Sequence, residues 1–427
     1  MKIKQKIILC GLYLVTSFFG INIVKAAGLE TNLTSTSALA NSYAGSATGS
    51  HDISDGFFNP AILSDVKLTT LIFSASMLKL NVDADNISGK TSTNSSVSDG
   101  GISDAGMDAF VPAFYFATPI NKETTFGFSI TSPYGLATKY DKAWGGRYQA
   151  VDSSITTMNF NPTLSYKINH KLSIGAGLQA QYISAALTKM VDYGSALGVP
   201  GSDDRLAKIK GNDWGYGYNL GANYRLNDQM KFGIGYRSKI DHKLEGKAEL
   251  DRLYYGNFNS ALVTPESIDV GASYQIDKDN ELVADVLWSR WSRLKSLGVH
   301  SDNAALSNNI VFNWHDSFRY SLGYNLKTSE KLIIRSGAAY EKDAVSNGDR
   351  SPSVPTGNRI WLTGGFGYKI TNYTTIDVAY LHQFHRKTQI DIAAVPANVG
   401  VSAGTPGLTA SYKNHVDTIS VGLKHEF

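Results

Sequence analysis

The chain has 427 residues, 40 of them Lys or Arg and 37 Asp or Glu, with 42% hydrophobic and 11% aromatic residues and one cysteine. A formal charge of +3 without a basic patch gives no electrostatic footprint for a nucleic-acid partner. One thiol excludes a disulfide framework.

Residues 1–26 read as an export signal: Lys2, Lys4 and Lys6, an apolar run from Ile7 to Val24, and the step Val24-Lys25-Ala26. Cleavage is expected after Ala26, although the run is also nearly long enough for a spanning helix. Removing it takes away four Lys and no acid, leaving 36 basic against 37 acidic residues. Cys10 goes with it, and Leu9 is not the small residue that a lipoprotein signal wants. The exported part must then be held together without disulfides.

Residues 27–65 do not alternate. They are rich in Ser, Ala, Gly and Thr, with helical possibilities around Ser35–Gly45 and after Asn59, which can N-cap a turn that Pro60 begins. Leu29, Leu39, Tyr43, Phe57, Phe58, Ile62 and Leu63 are more apolar side chains than a solvated tail needs. The segment is expected to be a plug.

Residues 66–427 alternate. Trp214, Tyr216, Tyr218, Leu220, Ala222 and Tyr224 oppose Gly215, Gly217, Asn219, Gly221, Asn223 and Arg225, a period of two that means strand. The final run sets Ile419, Val421, Leu423, His425 and Phe427 against Ser420, Gly422, Lys424 and Glu426. "YKINHKLSIG" (166–175), "YRLNDQMKFG" (224–233), "YQIDKDNELV" (274–283), "YNLKTSEKLI" (324–333) and "YKITNYTTID" (368–377) repeat one plan, with "TPINKETTFG" (118–127) as a looser copy. Each is a strand end, a short polar turn and a new strand, and the shared Tyr marks one level, as in an interfacial girdle.

Six hairpins and two terminal runs give about fourteen strands, with longer stretches between the hairpins on the other side. The expected fold is all-β, a 14-stranded antiparallel transmembrane β-barrel with the plug in its lumen, sited in a Gram-negative outer membrane. A soluble β-protein with an inward apolar face is the alternative. The opposite face places Arg237, Lys239, Asp269, Asp285, His315, Arg319, Ser321, Arg335, Glu341, Arg359 and Lys369 inside, mostly as bracing charges.

The chain resembles the FadL family of outer-membrane long-chain fatty-acid transporters. The resemblance rests on Asn59-Pro60-Ala61, "SITSPYGLATKY" (129–140), "NDWGYGYNLGANY" (212–224), "NWHDSFRYSLGYNL" (313–326) and "NRIWLTGGFGYKI" (358–370). It implies a hatch, capture of ligand among extracellular loops, an internal pocket and passive sideways exit through a gap at a kinked third strand. Asn59, Pro60 and Ala61 would pack beside that strand, kinked here at Pro133 and Gly135. Lys189, just after the fifth strand, would receive the ligand's carboxylate, and Leu29 would approach the pocket. The loops 188–211 and 247–264, with Met190, Tyr193, Leu253, Tyr254 and Phe258, would form the capture groove. A second basic residue is sought in 300–312, where only His300, or His315 beyond it, offers a substitute. Expected partners are a long-chain fatty acid, outer-membrane lipid and the barrel assembly machinery, for a monomer.

Aromatic hydrocarbons are the alternative cargo, and a general porin or an adhesin the alternative class. Catalysis is not expected: His382 and His385 fall on opposite faces of a strand, and the Ser/His/acid arrangement that a barrel lipase would need is not seen. No cofactor or metal is expected either.

Overall fold

The computed structural model describes residues 30–427 except 32, 101–103, 197, 252, 303–305 and 397–403. The expected signal peptide and Leu29 lie outside the described residues.

Each repeated turn closes with the same hydrogen bond, from the amide of one residue to the carbonyl four residues on: Ile120 to Thr124, Ile168 to Leu172, Leu226 to Met230, Ile276 to Asn280, Thr328 to Leu332 and Ile370 to Thr374, at 2.8–3.0 Å. One residue along, the side chain of Asn121, Asn169, Asn227 or Asp277 accepts two amides of its own turn. That is the Asx chemistry such residues favour in turns; Ser329 and Thr371 take the position in the last two.

The strands form a closed antiparallel barrel of fourteen. They are β1 (Thr70–Lys90), β2 (Ala109–Pro119), β3 (Thr124–Thr131, resuming at Gly135–Lys139), β4 (Asp152–Lys167), β5 (Leu172–Asp192), β6 (Asp204–Arg225) and β7 (Met230–Arg237 and Ile240–Leu250). There follow β8 (Tyr254–Thr264 and Ser267–Gln275), β9 (Asn280–Ser289), β10 (Ser317–Lys327), β11 (Leu332–Lys342), β12 (Arg359–Lys369), β13 (Thr374–His385) and β14 (Gly407–Glu426). Closure is by β1 against β14, from Thr70↔Glu426 to Lys90↔Gly407. Outward apolar side chains such as Leu178, Tyr216, Leu322 and Ile419 are exposed, as a lipid-facing surface requires.

The lumenal face is as expected for Arg237, Asp269, Asp285, Arg319, Ser321, Arg335, Glu341 and Arg359, all buried. Three placements are corrected. Lys239 faces out and pairs with Asp241, because Ser238–Lys239 and Pro265–Glu266 interrupt β7 and β8 side by side between the pairs Arg237↔Ser267 and Ile240↔Thr264. A slip of one residue there exchanges the two faces. His315 is exposed ahead of β10, and Lys369 is exposed at a turn. The first strand starts at Thr70 rather than near Val66. The stretches 188–211 and 247–264 are largely strand: β5 to β8 continue beyond the aromatic level, with polar side chains such as Lys208, Lys210, Glu245 and Glu249 on the outer face.

The segment before β1 fills the lumen. It holds the short helix α1 (Thr36–Leu39), capped by Ser35, and two 3-10 turns, Ile53–Phe57 and Pro60–Asp65, capped by Asp52 and Asn59. Its Leu39, Tyr43, Phe58 and Leu63 join Leu78, Tyr115, Trp361 and Leu381 of the wall in one buried apolar cluster.

Candidate functional site

Asn59 has no exposed surface. Its side-chain oxygen accepts from the Ala61 amide at 3.0 Å, and its amide nitrogen donates to the carbonyls of Ala47, at 2.6 Å, and of Ala222 on β6, at 2.9 Å. One side chain thus caps a turn, folds the hatch on itself and fastens it to the wall. The wall leaves room by glycine: a Cβ on Gly221 would lie 2.0 Å from the Asn59 oxygen, and one on Gly175 would lie 2.5 Å from the Pro60 carbonyl carbon. Asn59, Pro60 and Ala61 therefore sit against β4 to β7, with the Ser165 hydroxyl of β4 donating to the Ala61 carbonyl at 2.9 Å; the same turn reaches β3 through Leu63 at Gly127, on the part of the strand before its break.

The residues that do meet the kink are Glu30 and Thr31. Glu30 forms an isolated antiparallel bridge with Tyr134; the Thr31 amide donates to the Pro133 carbonyl at 3.0 Å, and its hydroxyl to the Ser132 carbonyl at 2.8 Å. β3 breaks at Ser132–Pro133–Tyr134, as a ring without an amide hydrogen requires. Below the break it pairs with β2 only from Phe114↔Ile130 to Pro119↔Thr125. Above it, Gly135–Lys139 pairs along its length with β4 and residues 109–113 of β2 pair only with β1, the gap being bounded at its upper end by the Lys139 amide donating to the Ala105 carbonyl at 3.0 Å. The ladder between β2 and β3 is open there.

Toward the extracellular end the lumen is apolar. Leu136 of β3, Ile183 of β5, Leu244 and Ala248 of β7, Phe258 and Leu262 of β8, and Trp291, Leu294, Leu297 and Trp314 form a second buried cluster, with Tyr134 and Leu187 packed against it. Tyr134 meets Trp291 edge-on at 5.9 Å, and Trp291 meets Trp314 at 5.3 Å. The kink thus borders an aromatic chamber.

Lys189 is half-buried within β5, which runs to Asp192 rather than ending before it. It shares the inward parity of Ile183, Ala185 and Leu187 and stands opposite Ala207. Its ammonium has no acid partner among the described residues, and desolvation holds it below the ordinary lysine range. Phe258, 5% exposed, and Tyr254 face the same chamber. Met190 lies on the opposite face of β5. Tyr193 sits in a four-residue helical turn, α2 (Tyr193–Ala196), with the Arg205 guanidinium 5.9 Å from its ring, and Leu253 is exposed at a loop tip. A cleft of about 520 Å³ at the outer surface is lined by Lys247, Asn257, Phe258, Asn259 and His300 among others; of the residues expected in the groove it holds Phe258, and Met190, Tyr193, Leu253 and Tyr254 lie outside it.

Glu30, Tyr134, Trp291 and Trp314 are not among the candidate residues that the sequence alone points to. The two Trp residues belong to stretches without alternation, and only the fold brings them over the lumen.

The description "Outer membrane protein transport protein (OMPP1/FadL/TodX)" belongs to the family model that matches residues 18–427. The long-chain fatty acid transport protein of Escherichia coli is 28% identical over 402 residues, covering 84% of this chain and 88% of that protein. Among solved structures, a Pseudomonas aeruginosa FadL homologue superposes with a TM-score of 0.85 at 22% identity, over 94% of this chain and 100% of the other. The Ralstonia pickettii toluene transporter TbuX gives a TM-score of 0.69 at 18% identity, over 93% and 99%. Both structural likenesses are of fold.

Proposed function

The chain belongs to the OMPP1/FadL/TodX family of outer-membrane transport proteins, and from that premise we propose that its cargo is a long-chain fatty acid leaving sideways at the kink of β3. As a member of that family it is an outer-membrane transporter of hydrophobic compounds and not an enzyme. In the proposed route the acyl chain enters from the outer cleft, lodges in the chamber of Trp291, Trp314 and Phe258, and passes the open ladder between β2 and β3 into lipid. Such a path keeps each methylene out of water, where it would cost about 0.8 kcal/mol. The driving force is the gradient alone, and a monomer suffices because the route lies within one barrel. Contact with outer-membrane lipid and insertion by the barrel assembly machinery complete the proposal.

The observation that carries the choice of an acid is Lys189, a cation without an acid partner among the described residues, on the inward face of β5 beside Leu187. A carboxylate there would gain a charge-assisted contact in a partly dry site. The aromatic chamber favours a second reading, in which the cargo is an aromatic hydrocarbon like that named for the toluene transporters.

Uptake of radiolabelled oleate and of toluene by cells lacking their own transporter separates the two. Oleate uptake that falls in Lys189→Met at equal surface level supports the acid. Toluene uptake alone, indifferent to Lys189, supports the hydrocarbon. Leakage of small sugars with uptake of neither would return the porin reading, against a lumen occupied by a buried hatch.

A further inference from the structure

The break in β3 is more than the missing amide of Pro133. Below it the ladder to β4 reaches Thr131↔Asn159, and above it the ladder resumes at Gly135↔Thr156. Ser132, Pro133 and Tyr134 therefore stand opposite only Thr157 and Met158, so β3 carries an extra residue there. An extra residue exchanges the two faces of a strand. Below the break the odd positions Ser129 and Thr131 are the buried ones, whereas above it the even position Leu136 joins the apolar chamber.

A segment taken out of a ladder must still place its amide and its carbonyl. Those of Tyr134 go to one side chain of the wall. The Tyr134 amide donates to the Thr157 hydroxyl at 3.0 Å, and the same hydroxyl donates to the Tyr134 carbonyl at 2.7 Å. A hydroxyl can accept and donate at once, so Thr157, 1% exposed on β4, stands in for a pair of ladder bonds without closing the ladder. The Ser132 and Pro133 carbonyls are held from the other side, by Thr31 of the hatch. With its backbone fixed in this way, Tyr134 sets its ring edge-on to Trp291 at 5.9 Å and points its hydroxyl to the Pro265 carbonyl at 3.4 Å. Two threonines thus share the break, and only Thr157 belongs to the barrel.

We propose that Thr157 is the positioning residue of the exit: its hydroxyl holds β3 in its detour, so that the opening beside β2 is a fixture of the wall, which the hatch covers but does not create. Thr157 acts through Tyr134. Without the hydroxyl, the segment loses both partners and is free to realign against residues 109–113 of β2, which pair only with β1. This rests on the sideways exit proposed above.

The test compares Thr157→Val, which keeps the shape and removes the hydroxyl, with Thr157→Ser, which keeps the hydroxyl, in the full-length protein. Thr157→Val is expected to slow uptake of radiolabelled oleate about tenfold at equal surface level, with oleate binding by the purified protein nearly unchanged. Thr157→Ser should recover most of the uptake. A side chain that merely filled space would be replaced as well by Val as by Ser. Hydrogen exchange at the Tyr134 amide gives a second reading that needs no Thr157 variant to assemble: the amide should be protected in the wild type and equally in Thr31→Ala, because the wall and not the hatch holds it. Wild-type uptake in Thr157→Val, or a Tyr134 amide that exchanges freely in Thr31→Ala, overturns the proposal while the fatty-acid reading stands. Absence of oleate uptake from the wild type overturns the fatty-acid reading instead, and the same comparison of Val with Ser, made with toluene, then decides for or against Thr157.

Discussion

At the scale of single residues, the hatch is held by side chains that each do several things at once. Asn59→Ala removes a cap and two donated hydrogen bonds and leaves the carbonyls of buried Ala47 and half-buried Ala222 with one partner fewer. That should loosen the hatch by about 1–3 kcal/mol, read as faster proteolysis of the hatch in the folded barrel and as raised conductance in planar bilayers, while the barrel's melting transition stays in place. The role of Asn59 as a cap was legible from Asn-Pro alone; its bond to β6 was not, because local sequence does not say which strand lies across the lumen. Lys189 makes a pH prediction. Its ammonium, depressed by desolvation, is charged below its pKa and loses its charge as pH rises. Oleate affinity is therefore expected to fall on the alkaline side, beginning below the ordinary lysine range, and Lys189→Arg should abolish the fall because guanidinium does not titrate there. A profile that is the same in both proteins would place the carboxylate elsewhere.

Among elements, the proposed way out rests on β3 and the hatch. Pro133 removes a ladder donor and Gly135 lets the strand resume out of line, so the pair Pro133→Val and Gly135→Val should restore a continuous strand and close the open ladder against β2. Oleate uptake is expected to drop at least tenfold or so, with oleate binding nearly unchanged; uptake at the wild-type rate would mean that the ligand does not leave there. Gly221→Val tests the other side of the hatch, where a Cβ would fall 2.0 Å from the Asn59 oxygen. It should dislodge the hatch, giving sugar leakage and slower refolding than the wild type. The strand break itself could be read from Pro and Gly in an alternating run. What could not be read is that Glu30 and Thr31, rather than Asn59-Pro60-Ala61, lie against it, since that contact spans about a hundred residues of sequence.

For the whole molecule, alternation, six matching turns and an aromatic outer face made the barrel legible, because a period of two and Asx turns are local signals. The paired interruptions of β7 and β8 were not legible, and they turned Lys239 outward. The aromatic chamber was hidden too: Trp291 and Trp314 come from stretches without periodicity, and their meeting is a property of the closed wall. On the proposed route the hatch's first residues must part from the kink for ligand to pass. Glu30 and Tyr134 face each other in an antiparallel bridge, whose Cα atoms are about 4.5–5.5 Å apart, within disulfide reach. The only cysteine of the sequence is Cys10, inside the expected signal. The decisive measurement is radiolabelled oleate uptake by cells expressing the double variant Glu30→Cys with Tyr134→Cys, oxidised and then reduced. Uptake blocked while the disulfide is closed and restored on reduction is the predicted result; equal uptake in both states, with the disulfide shown to be formed, means that the hatch need not part from the kink.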